Sequence, residues 1–204
     1  MTSSTYSEKE KISYNAVSIA HLSNYGKISK LFDSCGSWQK AWQKSKHTVE
    51  NTEINPQLEW EKIKKRDIRL VLREDKEFPE RLKEIPLAPH AIYVKGGELN
   101  LDFAISIVGT RKATLSGKNL AGKIAEYLSL RNITVVSGLA LGIDTEAHKG
   151  VLNQNKKTVS VLANGLERIY PSENTNLARK IIDAGGAIIS EYPLNSPTLP
   201  HKFI

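Results

Sequence analysis

The chain has 204 residues, of which 40% are hydrophobic and 25% charged, with a formal net charge of +7 at pH 7. That composition excludes a disordered or fibrous chain and supplies enough core for one medium domain or a small domain joined to a larger one. No apolar run approaches the roughly 18 residues of a membrane span, and the polar start Met1–Ser7 has no signal-like core, so no membrane contact and a cytoplasmic location are expected.

Residues 1–66 read as a small helical domain. Ile12, Ala16, Ile19 and Ala20 recur at helical spacing, and Leu22, Ile28, Leu31, Phe32, Trp38 and Trp42 continue the apolar set. Breaks are expected at Asn24-Tyr25-Gly26 and at Ser34-Cys35-Gly36-Ser37, and a further helix begins after Pro56 and ends in Lys62-Lys64-Lys65-Arg66. Short helices joined by Gly-containing turns suggest a bundle of SAM-like or helix-hairpin-helix type, which either touches nucleic-acid backbones or serves as a packing or docking module. Cys35 is the one cysteine, so no intrachain disulfide is possible, and it reads as an ordinary thiol in a reducing compartment.

Residues 67–100 read as an extended connector packing on the second domain. It holds two strand-like runs, Ile68–Leu72 and Ala91–Val94, with Pro79, Pro86 and Pro89 keeping the stretch between them from becoming helical. From residue 101 to 204 strands alternate with helices. Strands are expected at Phe103–Val108, Ile133–Val136, Thr158–Leu162 and Ala187–Ser190, and helices at Ser116–Leu130, Thr145–Asn153 and Asn174–Asp183. Short strands apolar on both faces call for a buried parallel sheet, hence an α/β fold whose strand-to-helix turns gather at one edge.

Four turns lie at that edge. Gly109-Thr110-Arg111-Lys112-Ala113-Thr114 offers a close backbone approach at Gly109, hydroxyls at Thr110 and Thr114, and the two-pronged donor Arg111 ahead of a helix N-terminus. It matches neither the Walker A spacing nor GxGxxG, and a plain tight turn explains it as well. Ser137-Gly138-Leu139-Ala140-Leu141-Gly142-Ile143-Asp144-Thr145-Glu146-Ala147-His148 places Asp144 where an N-cap is expected and His148 one turn inside the helix, with no second ligand at metal spacing. In the third turn Asn164-Gly165 suits a left-handed conformation, and Tyr170 offers a ring for base stacking or a lid over the core, ahead of Asn174. The fourth, Ser190-Glu191-Tyr192-Pro193, leads through a Pro-rich run to Lys202, a possible phosphate contact.

Together these turns resemble the DNA-processing protein A family (DprA, also called Smf). Gly109-Thr110-Arg111 is similar to its Gly-Ser/Thr-Arg loop. Ser137 to His148 match its Ser-Gly-x-Ala-x-Gly-Ile-Asp-x-x-Ala-His at every fixed position. Asn164 to Leu177 match Asn/Thr-Gly-Leu-x-x-x-Tyr-Pro-x-x-Asn-x-x-Leu, and Ser190 to Pro193 match Ser-Glu-x-Pro. The resemblance spans about residues 67–203 and implies a Rossmann-like parallel sheet with flanking helices behind a small helical domain. It implies a bacterial protein of natural transformation (competence) and DNA recombination that binds single-stranded DNA, protects it and loads the recombinase RecA, and that dimerises when full-length.

The resemblance places DNA and phosphate on Gly109, Thr110, Arg111, Lys112, Thr114, Ser137, Gly138, Asn164 and Lys202, within a pocket framed by Gly142, Asp144, His148, Gly165, Tyr170 and Asn174. Neither a cofactor nor a metal is expected. Family members continue beyond Phe203 with an Arg-Asn-Arg segment and further elements, so the sheet is expected to be incomplete and self-association of this chain doubtful. The competing functions are a nucleoside-monophosphate phosphoribohydrolase on a similar frame, whose Pro-Gly-Gly-x-Gly-Thr signature is missing here, and an interaction scaffold built on the N-terminal helices. No nucleophile, base and orienter are arranged for catalysis, so a non-enzymatic role leads.

Overall fold

The computed structural model describes residues 6–45, 47–49, 52–99, 101–199 and 202. Pro200, His201 and the two residues after Lys202 therefore lie outside the described residues. The chain opens with helices whose starts are set by side-chain caps. Ser7 caps α1 (Glu8–Ala20), Asn24 caps α2 (Tyr25–Cys35), Ser37 caps α3 (Trp38–Lys44) and Asn55 caps α4 (Pro56–Lys64), each accepting an otherwise orphaned helix N–H. The left-handed Gly36, at φ 71°, ends α2 as expected. The preceding break falls earlier than expected, because Leu22 and Ser23 take the left-handed conformation and Gly26 lies inside α2. The carboxylate of Glu10 accepts from the amides of Trp38 (2.7 Å) and Gln39 (3.3 Å), locking α1 to the start of α3. A two-residue hairpin, β1 (Thr48–Val49) and β2 (Thr52–Glu53), precedes α4.

The remaining elements are β3 (Ile68–Leu72), the single turn α5 (Glu80–Lys83), β4 (Ala91–Gly96), β5 (Ala104–Ser106), α6 (Leu115–Leu130), β6 (Thr134–Ser137), α7 (Ile143–Leu152), β7 (Thr158–Leu162), α8 (Thr175–Asp183) and β8 (Ala187–Ser190). Six strands form one sheet in the order β3-β4-β8-β7-β6-β5. Neighbours from β5 to β8 are parallel, whereas β4 pairs antiparallel with both β3 and β8. The sheet is thus mixed rather than purely parallel. The stretch read as a connector supplies two of its strands, because Leu70 and Tyr93 complete a face that β8 alone cannot fill. The fold class is otherwise the expected α/β architecture with flanking helices.

One face of the sheet packs against the helices. Tyr14, Val17, Trp38 and Ile63 of the N-terminal helices share a continuous core with Leu70, Tyr93, Leu162 and Ile188 of the sheet. Tyr93 is buried there with its hydroxyl donating 2.8 Å to Asn15. Part of the opposite face is covered by Phe78 and Leu82 around α5 and by Leu99 and Leu101 after β4. Burial thins toward β5, which is shorter than its apolar run suggested and leaves Phe103 77% exposed.

Helices α6 and α7 touch backbone to backbone: a Cβ on Gly150 would lie 2.3 Å from the Gly122 carbonyl oxygen. Gly150→Ala gains about 1 kcal/mol of helix propensity in isolation. The crossing should reverse that sign and cost about 1–3 kcal/mol, read as a lower urea midpoint with unchanged slope.

Candidate nucleic-acid interface

Parallel strands β5, β6 and β7 end at the same edge, so the first three expected turns meet there. The join is made by Asp144, which is 5% exposed. Its Oδ1 accepts from the Gly109 amide (3.3 Å), and its Oδ2 accepts from the amides of Gly138 (3.1 Å) and Ala140 (3.4 Å). Asp144 is therefore no N-cap. Helix α7 starts at Ile143 because Gly142 adopts φ 86°, and Asp144 falls in the first turn with its carboxylate turned onto the two loops. A side chain at Gly142 would meet the Thr110 carbonyl oxygen at 2.3 Å, and the Ile143 amide donates to that oxygen (3.3 Å). Gly109 has a different role from the one expected. Its missing Cβ makes room for the Ile143 side chain, 2.7 Å away, rather than for a ligand.

A second set of bonds fixes turns two and three. Asn174 donates to the Leu139 carbonyl (2.7 Å) and to Thr145 Oγ1 (2.8 Å). Asn164 donates to the carbonyls of Gly165 and Arg168, both at 2.8 Å. Neither Asn164 nor Gly165 is left-handed. The glycine is required because a Cβ would sit 2.1 Å from the carbonyl oxygens of Pro193 and Leu194. Three expected ligand groups are used internally. Ser137 Oγ donates to the Ile107 carbonyl (2.6 Å), Thr114 caps α6 through the Gly117 amide (3.1 Å), and Asn164 is buried. Ser137 and Asn164 act as scaffold because their bonds are made inside the protein, whereas Thr114 is exposed and uses its oxygen as a helix cap.

Arg111, Gly138, Ala140, Leu141, Tyr170, Pro171, Ser172 and Glu173 surround an open cavity of about 180 Å3. Thus Arg111, Gly138 and Tyr170 come together as the sequence suggested, and Lys112 lies exposed on the same turn. Leu141, Ser172 and Glu173 escaped notice, although the last two directly follow the Tyr170-Pro171 pair that marked the turn. Tyr170 is 43% exposed and so is a wall of the cavity rather than a core lid. The two helix N-termini at this edge differ in charge. The first turn of α7 holds Asp144 and Glu146, whereas that of α6 holds no acidic residue. The partial positive charge at the start of α6 therefore has no built-in anion and lies on the turn that carries Arg111 and Lys112. Lys202 is not among the cavity-lining residues. Its Nζ donates to the Pro197 carbonyl (3.1 Å) and sits 4.0 Å from the Tyr192 ring centroid.

His148 lies apart from the cavity, fully buried. The Thr158 hydroxyl donates to the Val135 carbonyl (2.7 Å), so it accepts the Nδ1 proton of His148 (2.9 Å) and leaves Nε2 without a partner among the described residues. Burial pushes its pKa down to about 4. The unfolded chain therefore binds this proton first as pH falls below about 6.5. Stability present above that pH should be lost progressively down to about 4, by at most about 3 kcal/mol, and then level off. Urea unfolding across this range should show the loss, and His148→Gln should remove its share while leaving that of His90, whose pKa is also lowered to about 4.

The fold and this edge define an α/β protein whose strand-to-helix loops gather at one edge of the sheet. A family profile described as DNA recombination-mediator protein A matches residues 69–204, and the chain belongs to that family. It is 39% identical over 132 residues to Protein Smf of Escherichia coli, covering 63% of this chain and 35% of that protein. It is 34% identical over 130 residues to the DNA processing protein DprA of Bacillus subtilis, covering 63% of this chain and 43% of that one. The chain thus spans well under half the length of these curated relatives. Among solved structures, DprA from Streptococcus pneumoniae superposes with a TM-score of 0.62 at 24% identity, over 95% of this chain and 69% of that chain. DprA from Helicobacter pylori, described for its single-stranded DNA binding mode, superposes with a TM-score of 0.58 at 26% identity, over 67% and 60% of the two chains. Among the described residues no helix is long and apolar enough to cross a membrane, and no cluster of His, Cys, Asp and Glu is arranged for a metal ion.

Replacing Asp144 by Asn keeps the volume but turns an amide group toward three N–H donors. This variant should lose about 2–3 kcal/mol, because hydrogen bonds to a charged acceptor are lost inside the protein. Chemical denaturation checks the loss.

Proposed function

We propose that this chain binds single-stranded DNA through the strand-end edge and acts in recombination without performing catalysis. The observation carrying this reading is the α6 start: an acid-free helix N-terminus, Arg111 and Lys112 on one turn, beside a cavity walled by Tyr170. The helix end and Arg111 hold a phosphate, and the Tyr170 ring stacks on an adjacent base, a combination indifferent to sequence. Gly109, Gly138 and Gly142 shape the loops, while Asp144, Asn164 and Asn174 hold them. Lys202 joins the path only by releasing Pro197. Membership of the recombination-mediator family and the DNA-binding neighbour from Helicobacter pylori support the reading. In that role the protein protects incoming strands and passes them to RecA, in the cytoplasm.

Arg111→Ala should weaken binding to oligo-dT and to mixed-sequence single strands alike, by about tenfold, and lower the salt slope by about one. Fluorescence anisotropy at several salt concentrations tests this, and unchanged affinity removes the phosphate role of the turn. One observation favours a second reading: Glu173 places a carboxylate on the cavity wall, where a phosphoribohydrolase would need its acid or base. No free base should appear on incubation with nucleoside monophosphates. Release that disappears in Glu173→Gln would replace the binding reading with the enzymatic one.

A further inference from the structure

A second pocket, of about 130 Å3, lies between the N-terminal helices and the sheet, lined by residues distinct from those around the strand-end cavity. Tyr14 and Ser18 of α1, Tyr25 of α2, His90 ahead of β4, and Glu191 and Tyr192 after β8 line it. Its walls are aromatic. The rings of Tyr25 and His90 stack with centroids 5.4 Å apart and planes 19° from parallel. His90 Nε2 is held by Ser29 Oγ at 2.8 Å, and burial followed by the nearby Arg73 lowers its pKa to about 4, so the ring is neutral at pH 7. Arg73 is itself occupied, donating to the carbonyls of Pro89 (3.1 Å) and Ala88.

Glu191 supplies the one carboxylate in this wall. It makes no hydrogen bond or ion pair among the described residues, and burial pushes its pKa up. Glu191 stands exposed at the mouth of the pocket, partly desolvated by the aromatic rings around it, and a cation entering beside it would gain an unpartnered carboxylate as counter-charge. The faces of tyrosine rings attract the same cation through their quadrupoles. One member of the wall already takes such a contact, since Lys202 Nζ lies 4.0 Å from the Tyr192 centroid.

We propose that this pocket accepts an alkylammonium or guanidinium group, with Glu191 as its counter-charge and the rings of Tyr25 and Tyr192 as its walls. The group comes either from a basic side chain of a partner protein or from a free small amine. The proposed ligands Glu191, Tyr25 and Tyr192 take no part in the DNA-binding reading, which touches this pocket only through Lys202.

The test uses the full chain and methylguanidinium as probe, following the ring signals of Tyr25 and Tyr192 by NMR. A saturable shift with a dissociation constant in the millimolar range is expected for so small a cation. Glu191→Gln should weaken it at least about tenfold with the melting temperature unchanged, and Tyr25→Leu should weaken it several-fold while Tyr25→Phe should not. No saturable shift up to about 50 mM, or equal affinity in Glu191→Gln, overturns the proposal. A blocked Gly-Arg-Gly peptide binding about tenfold tighter than methylguanidinium assigns the group to a partner side chain, and equal or weaker binding assigns it to a free amine.

Discussion

The carboxylate of Asp144 is the contact on which the candidate interface depends. Three backbone amides from two separate loops converge on its oxygens, so the turn carrying Arg111 and the turn carrying Gly138 share one buried charge. The same side chain sits in the first turn of α7 and occupies that helix's positive end. The neighbouring α6 has no equivalent, which leaves its N-terminus as the place where an outside anion can gain the same stabilisation. One helix end is used for architecture and the other, in the proposed reading, for recognition, within a single edge of the sheet.

Much of the edge was legible in the sequence because its determinants are local. Alternating strand and helix patterns located β6, β7 and β8, and the glycine-bearing turns between them marked the loops that gather at one edge. Arg111, Gly138 and Tyr170, far apart in the chain, do line one cavity. The roles of individual polar residues were less legible, because they depend on partners distant in sequence. Ser137 gives its proton to Ile107, thirty positions away, and Asn174 reaches Leu139, thirty-five positions away. A hydroxyl or amide that looks available in a motif is spent once such a partner folds against it. Gly109 was likewise read as room for a ligand, and Gly165 as a point of backbone freedom. Their constraint is steric, set by Ile143 in one case and by Pro193 and Leu194 in the other.

The stretch from residue 67 to 100 was misjudged for a related reason. Its prolines argued against helix between Phe78 and Pro89, yet the single turn α5 forms directly after Pro79, whose missing N–H costs nothing at a helix start, while the two strand runs were visible. What the pattern lacks is any sign that both strands enter the sheet, since strand pairing is a property of the partner as much as of the strand. Arg66 adds a tie of the same long range. Its guanidinium forms a two-pronged pair with Glu167, so the end of α4 is fastened to the third loop of the edge. The helical portion is thereby joined to the loop edge by charge as well as by the shared core under the sheet.

The strand order has a consequence for how the molecule is made. β8 lies between the antiparallel pair β3–β4 and the parallel set β5–β7, yet of these six strands it is the last to leave the ribosome. Until residues 187–190 emerge, the two groups have no hydrogen-bonded bridge, and the faces meant for β8 stand open on both. Late closure by a central strand is a high-contact-order step, slow by nature, and it leaves two unpaired edges exposed to other chains during synthesis. The nascent protein is therefore most vulnerable to misassociation just before its final strand is inserted.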